Sequence, residues 1–168
     1  MKDRRREEEL RRKVRQLGEE VIGSERFRAA REIPHHRGVS VAEHSLNVAK
    51  ESCRIAEWLE RRGVSVSAED VVRGSLLHDI GMTETPVFRS PSWKKAYSHP
   101  DRGAELAREE YRANEVQEDA VRRHMWPICV VPPKHREGWI VLAADKISSA
   151  KELLDAILPG RAGDDETE

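Results

Sequence analysis

Apolar residues recur at steps of three and four through most of the chain. Leu10, Val14, Leu17 and Val21 form one such stripe inside a run of alternating Arg and Glu, which predicts an amphipathic helix over residues 3–22. Its Glu–Arg pairs at helical spacing are exposed and worth only about 0.2–0.5 kcal/mol each. That stripe suits packing on the rest of the chain or on a second copy. A second stripe, Val41, Ser45, Val48, Ser52, Ile55 and Leu59, predicts a helix to about Arg62. Ser40 stands at its N-cap, with Glu43 three residues on to complete a capping box. Ser67 caps a third helix expected to end near Gly81. Further helices are expected from Ser98 or Asp101, over Glu115–Met125, and from Arg136 to about Leu158.

The remaining segments read as connections. IPHHRGVS at 33–40 carries Pro34 and Gly38, residues 83–98 carry Pro86 and Pro91 without a clear period, and WPICVVPPKH at 126–135 is broken by three prolines. No run alternates as a strand does; VSV at 64–66 and CVV at 129–131 are too short. The pattern predicts an all-α, single-domain helical bundle over residues 26–158, an N-terminal amphipathic helix in residues 1–25 packed on it, and a polar tail at 159–168.

Composition narrows the function classes. Charged residues make up 36 % of the 168 and hydrophobic residues 38 %, so much of the helix surface is solvated. The formal net charge of -1 gives no general basic field for nucleic acid. Cys53 and Cys129 form no CxxC motif and read as reduced thiols in or near the core. The opening MKDRRREEEL lacks the apolar run of a signal peptide, and no window approaches the ~20 apolar residues of a membrane span. A soluble, cytoplasmic protein is expected, with a homodimer through the N-terminal helix as one use of its stripe.

The chemistry gathers in six residues: His44, His78, Asp79, His99, His124 and Asp145, on five segments. The gaps are 34, 1, 20, 25 and 21 residues, and each gap above one allows the chain to cross the bundle and return. Helical bundles build metal sites from inward-facing His and carboxylate side chains. His78 and Asp79 follow the apolar pair Leu76–Leu77, where a buried ionisable pair needs compensation. Mixed imidazole and carboxylate donors suit Mn, Fe, Co, Ni or Zn better than Ca or Mg.

The segments EHSLNVA at 43–49, SLLHDIG at 75–81, HPDRGAELA at 99–107, RRHMWP at 122–127 and LAADKISS at 142–149 carry these residues in the order H…HD…H…H…D. Over about residues 35–155 the chain resembles the HD-domain metal-dependent phosphohydrolase superfamily, and within it a subgroup of small stand-alone bacterial proteins. The resemblance implies the HD-type helical bundle. It implies that His44, His78, Asp79 and Asp145 hold one metal, that Asp79 bridges to a second, and that His99 and His124 are the added ligands of the binuclear branch. His78 and Asp79 then carry catalysis.

Two divalent ions suit hydrolysis of a phosphate ester or anhydride of a small nucleotide-like substrate by a metal-bound hydroxide. The candidates for substrate contact are Arg37, Lys146, Lys94, Lys95, Trp93 and His36, with His35 and His135 as surface residues. Lys146 directly follows Asp145, so a helix turns it about 100° away, and pairing with a carboxylate, Asp145 included, is its equal alternative. Two departures from the family pattern restrict the substrate. Met82 stands where cyclic-dinucleotide phosphodiesterases of this fold carry Lys, and where related nucleotidases carry Glu; Glu84 is out of register. Alternatives with the same ligands are a di-iron oxygenase of the HD fold and a non-catalytic metal or nucleotide sensor.

Overall fold

The computed structural model describes residues 2–36, 38–84 and 92–158, of which residues 2–3, 36 and 92–96 are described by backbone alone. The first stripe forms α1 (Lys2–Leu17) and a short α2 (Glu19–Ile22) rather than one helix. Gly18 sits at the break because a Cβ there would meet Leu76 Cδ1 at 2.2 Å. The bonds Gly18 N to Val14 O and Ile22 N to Gly18 O, both 2.9 Å, carry the stripe across the break. Leu10, Val14 and Val21 are buried and Leu17 is half-buried against them. Burying each of the first three is worth about 1.5–3 kcal/mol. Polar clamps line the same helix: Glu7 pairs with Lys50 and Arg54, and Glu57 with Arg6 and Lys13. The stripe available for a dimer is therefore spent inside the protomer.

After α3 (Glu25–Ala29) and a 3-10 turn at Ala30–Glu32, the expected loop contains a minimal antiparallel ladder of β1 (Pro34–His36) and β2 (Val39–Ser40). Strands of three and two residues are too short for alternation to betray them. Gly38, at φ +84°, supplies the left-handed residue of the turn. Val41 N donates to Ile33 O at 2.9 Å and closes the ladder onto the next helix.

That helix, α4 (Val41–Glu60), opens with the expected capping box: Glu43 N donates to Ser40 Oγ at 3.2 Å and Ser40 N to Glu43 Oε2 at 2.9 Å. Ser67 caps α5 (Ala68–Leu77), which stops four residues short of the expected end and gives way to a 3-10 turn at Ile80–Thr83. The next helix, α6 (Ser92–Tyr111), starts before the expected Ser98 and runs through Pro100. A proline lacks the N–H of one helical bond and reads as a breaker, but the flanking turns continue the helix past it. Asn114 caps α7 (Glu115–Arg123), and α8 (Arg136–Ile157) follows the proline-broken connection.

Helix α4 lies against α5 and α8, α5 reaches α7, and α6 packs on α7 and on the 3-10 turn. The fold is all-α, apart from the small ladder. One core runs from Leu10 through Val72, Leu76 and Leu77 to Val121, with a smaller cluster at Ala56, Val66, Val71 and Ile140. Cys53 is a free thiol in that core, its pKa pushed up to about 11 by burial, which leaves it inert. No helix among the described residues is long and apolar enough to cross a membrane.

Candidate metal centre

Helix ends supply four of the six residues of the centre, His44, His78, Asp79 and His124, and the interiors of α6 and α8 supply His99 and Asp145. His78 and His124 occupy the C-caps of α5 and α7, where the last carbonyls lack helical partners. His78 Nδ1 lies 2.7 Å from Ser75 O and His124 Nδ1 lies 2.7 Å from Val121 O. A carbonyl only accepts, so each Nδ1 carries the proton and each Nε2 lone pair faces inward. His44, on the first turns of α4, is tied in the same way by a carboxylate, with Nδ1 3.0 Å from Glu152 Oε2. Its Nε2 lies 3.1 Å from Asp145 Oδ1.

Asp79 follows the end of α5 at φ -104° and ψ 9°, in the sparsely used bridge region. On a continuous helix its side chain would diverge from His78 by about 100°. The break brings Asp79 Oδ2 to 3.2 Å from His78 Nε2. Gly81, two residues on, lets α6 approach: a Cβ there would sit 2.1 Å from His99 O and 2.7 Å from Gly103 N. That contact puts His99 Nε2 3.1 Å from Asp79 Oδ1. His124 Nε2 lies 3.5 Å from the same oxygen and 3.0 Å from His99 Nε2.

The two Asp79 oxygens thus face different sets of imidazoles. His78 at 3.2 Å and His44 at 4.0 Å attend Oδ2, with Asp145 Oδ1 beyond them, 3.9 Å from His78 Nε2. His99 and His124 attend Oδ1. All six residues expected at the site come together, and all are buried.

Cations fit this donor set. Three carboxylates, Asp79, Asp145 and Glu152, are buried among imidazoles. His78 Nε2 is buried and has no hydrogen bond of acceptable geometry among the described residues. Three groups of three donors, His35–His44–Asp79, His44–His78–Asp145 and His78–Asp79–His124, each converge within 4.8 Å among the described residues. An orphaned imidazole lone pair facing buried carboxylates is what an ion would complete.

The HD-domain family model matches residues 41–150, more than half of the chain. The chain belongs to the HD-domain superfamily. Searches of curated proteins and of solved structures each returned no significant match.

Within this HD domain the electrostatics follow the geometry. Burial alone would push His44 down, but its bonds to Asp145 and Glu152 and the charge of Asp79 raise it to about 10. Burial lowers His124 to about 4, aided by His78 and His99. Asp79 and Asp145 resist the upward pull of burial and are held below the usual carboxylate range, Asp79 chiefly by the charge of His78 and Asp145 by its bond to His44.

His35 and Glu152 depart from the sequence expectation, and Lys146 takes its carboxylate-pairing alternative. His35 is not a surface residue: its Nε2 lies 2.9 Å from Asp79 Oδ2, and its ring stacks on His44 at 4.2 Å. The β1–β2 ladder, invisible to periodicity, folds it inward. Lys146 pairs with Asp145 itself: its flexible stem curls back and places Nζ 2.7 Å from Asp145 Oδ2. Glu152 was missed, although it follows Asp145 by seven residues, two turns along one face of α8. Asn47 Nδ2 donates to Glu152 Oε1 at 2.9 Å and fixes it against His44.

Met82 is buried in the core cluster, and Glu84 pairs with Arg26 at 2.9 Å. Met82 touches the cluster only through its backbone, its N donating to Asp79 O at 2.9 Å; neither side chain makes a hydrogen bond or ion pair to the six among the described residues. Arg37 lies outside the described residues, as do the side chains of His36, Trp93, Lys94 and Lys95.

Proposed function

We propose that the protein is a metal-dependent phosphohydrolase that cleaves a phosphate ester or anhydride of a small nucleotide-like substrate. His44, His78, Asp79, His99, His124 and Asp145 hold two divalent transition-metal ions in this reading. The observation that carries it is the split environment of Asp79, with His44 and His78 on Oδ2 and His99 and His124 on Oδ1. A carboxylate so placed serves two ions at once. When bound, such ions acidify water to a pKa of about 7 and neutralise phosphoryl oxygens in an in-line displacement.

The chain's own groups do the rest. The Nδ1 bonds of His44, His78 and His124 lock their Nε2 atoms inward before any ion arrives, so little ordering entropy is lost on binding. Exposure is graded across the cluster. His44, His78 and His124 are at most 1 % exposed, whereas His99 and Asp145 reach 5 % and 6 %. Lys146, half-exposed with its ammonium on Asp145, offers a cation to phosphate beside that carboxylate.

The test is elemental analysis of the purified protein followed by a phosphate-release screen over nucleotides with Mn, Fe(II), Co or Ni. His78→Ala and Asp79→Ala are each expected to abolish release while keeping wild-type helix content. Release that survives both substitutions overturns the reading. Oxygen consumption by the iron form without phosphate release would assign the same ligands to a di-iron oxygenase.

A further inference from the structure

We propose that His35 is a seventh protein donor to the metal centre, on the Asp79 Oδ2 side. The inference rests on the metal reading above and adds a ligand from outside the H…HD…H…H…D pattern and outside the matched residues 41–150.

The geometry is specific. His35 Nε2 lies 2.9 Å from Asp79 Oδ2, nearer than either patterned imidazole on that oxygen, His78 at 3.2 Å and His44 at 4.0 Å. Donor atoms of His35, His44 and Asp79 all fall within 4.8 Å of one another. The His35 side chain is 16 % exposed, the most open imidazole edge of the cluster.

The backbone fixes this placement. His35 is the central residue of β1, and the ladder to β2 runs directly into the Ser40 cap of α4. His44 is on the first turns of that helix, so both rings belong to one hydrogen-bonded unit. They stack at 4.2 Å with 17° between planes, which turns both Nε2 atoms towards Asp79. A histidine on a floating loop would lack this preorganisation.

Ligation needs the His35 proton on Nδ1 and the Nε2 lone pair turned to the ion, as for His78 and His124. The competing role is an outer one, with Nε2–H donating to Asp79 and merely orienting it. Two substitutions separate these. His35→Gln keeps an N–H donor to Asp79 with a poor metal donor, and His35→Phe keeps the stack on His44 with neither.

Full-length wild type and both variants would be stripped with chelator and titrated with Co(II), reading metal content, affinity and the visible d–d absorption. Loss of one donor lowers the coordination number, and lower-coordinate Co(II) absorbs more strongly. The expected result is stronger absorption and a fall in affinity beyond the ~10–100-fold that loss of an outer hydrogen bond costs, in both variants alike. A Gln variant with the wild-type spectrum and affinity overturns the proposal and leaves His35 a positioning residue. Wild type that binds no Co(II) overturns both the proposal and the metal reading beneath it. Binding by wild type with two silent variants overturns the proposal alone.

Discussion

Gly81 lies against the backbone of His99 so closely that a Cβ would stand 2.1 Å from its carbonyl oxygen. Gly103 N, at 2.7 Å, blocks the other side. Both neighbours are backbone, so neither can rotate out of the way. Gly81→Ala must therefore part the 3-10 turn from α6, at a cost of about 1–3 kcal/mol or more. His99 moves with α6, so the Asp79 Oδ1 side loses its donor first. The expected outcome is a lower melting temperature together with metal content falling from two ions towards one. A variant that melts and loads like wild type would separate the glycine from the site.

Helix periods and the Ser40–Glu43 box are local properties, and they specify α4 closely. The order of histidines and aspartates named the six buried residues: His44, His78, Asp79 and His124 sit at a helix start or end, and His99 and Asp145 lie within α6 and α8. His35 and Glu152 escaped for different reasons. The ladder that turns His35 inward is too short to leave an alternating signature. Glu152 sits among charged neighbours, Lys151 and Asp155, that mask its inward face. The curl of Lys146 back onto Asp145 depends on side-chain torsions that sequence spacing does not carry.

Glu152 is the partner that holds His44, 3.0 Å from Nδ1. Glu152→Gln retains size but forfeits the charge that raises imidazole basicity. Metal affinity is expected to fall about 10–100-fold, as for other outer partners of ligating histidines. Competition against a chelator of known affinity measures it. Unchanged affinity would mean that Asp145 and the stacked His35 suffice to orient the ring.

In the proposed two-ion reading, the second ion would rest on two imidazoles, His99 and His124, whose Nε2 atoms are 3.0 Å apart. His99→Ala is expected to lower the stoichiometry from two towards one and leave helix content intact. His78→Ala strikes the other side and should impair metal binding more severely, because its Nε2 lies near both Asp79 and Asp145. Elemental analysis of the two variants side by side checks this. Equal stoichiometry in wild type and His99→Ala would refute the two-ion reading.

Helix α1 is docked by its apolar stripe rather than by charge. Leu10 is 2 % exposed, and its truncation leaves a cavity between α1 and the core. Leu10→Ala should cost about 2–5 kcal/mol by denaturant unfolding. Reversing Glu57, whose partners Arg6 and Lys13 are partly solvated, should cost much less, since such pairs contribute about 0–1 kcal/mol. A larger loss at Glu57 than at Leu10 would invert this ranking.

Without metal, His44 and His124 depart from the ordinary histidine value of 6.5 in opposite directions, and stability must follow both. Despite burial, the pairing with Asp145 and Glu152 raises His44 to about 10. A group raised on folding adds stability that is complete below pH 6.5 and disappears as pH climbs through about 10. Burial lowers His124 to about 4, so its contribution is complete above pH 6.5 and disappears as pH falls through about 4. Asp79 and Asp145 are held below the usual carboxylate range, and their contributions are lost only at pH values below this window. The melting temperature of chelator-treated protein should therefore peak near pH 6.5 and decline on both sides. Added Mn(II) should move the peak to higher pH, because ligation requires neutral imidazoles and an ion replaces the proton on His44 Nε2. Melting temperatures from pH 4 to 10, with and without Mn(II), measure both arms. A metal-free curve that rose steadily from pH 6 to 9 would contradict the pairing of His44 with Asp145 and Glu152.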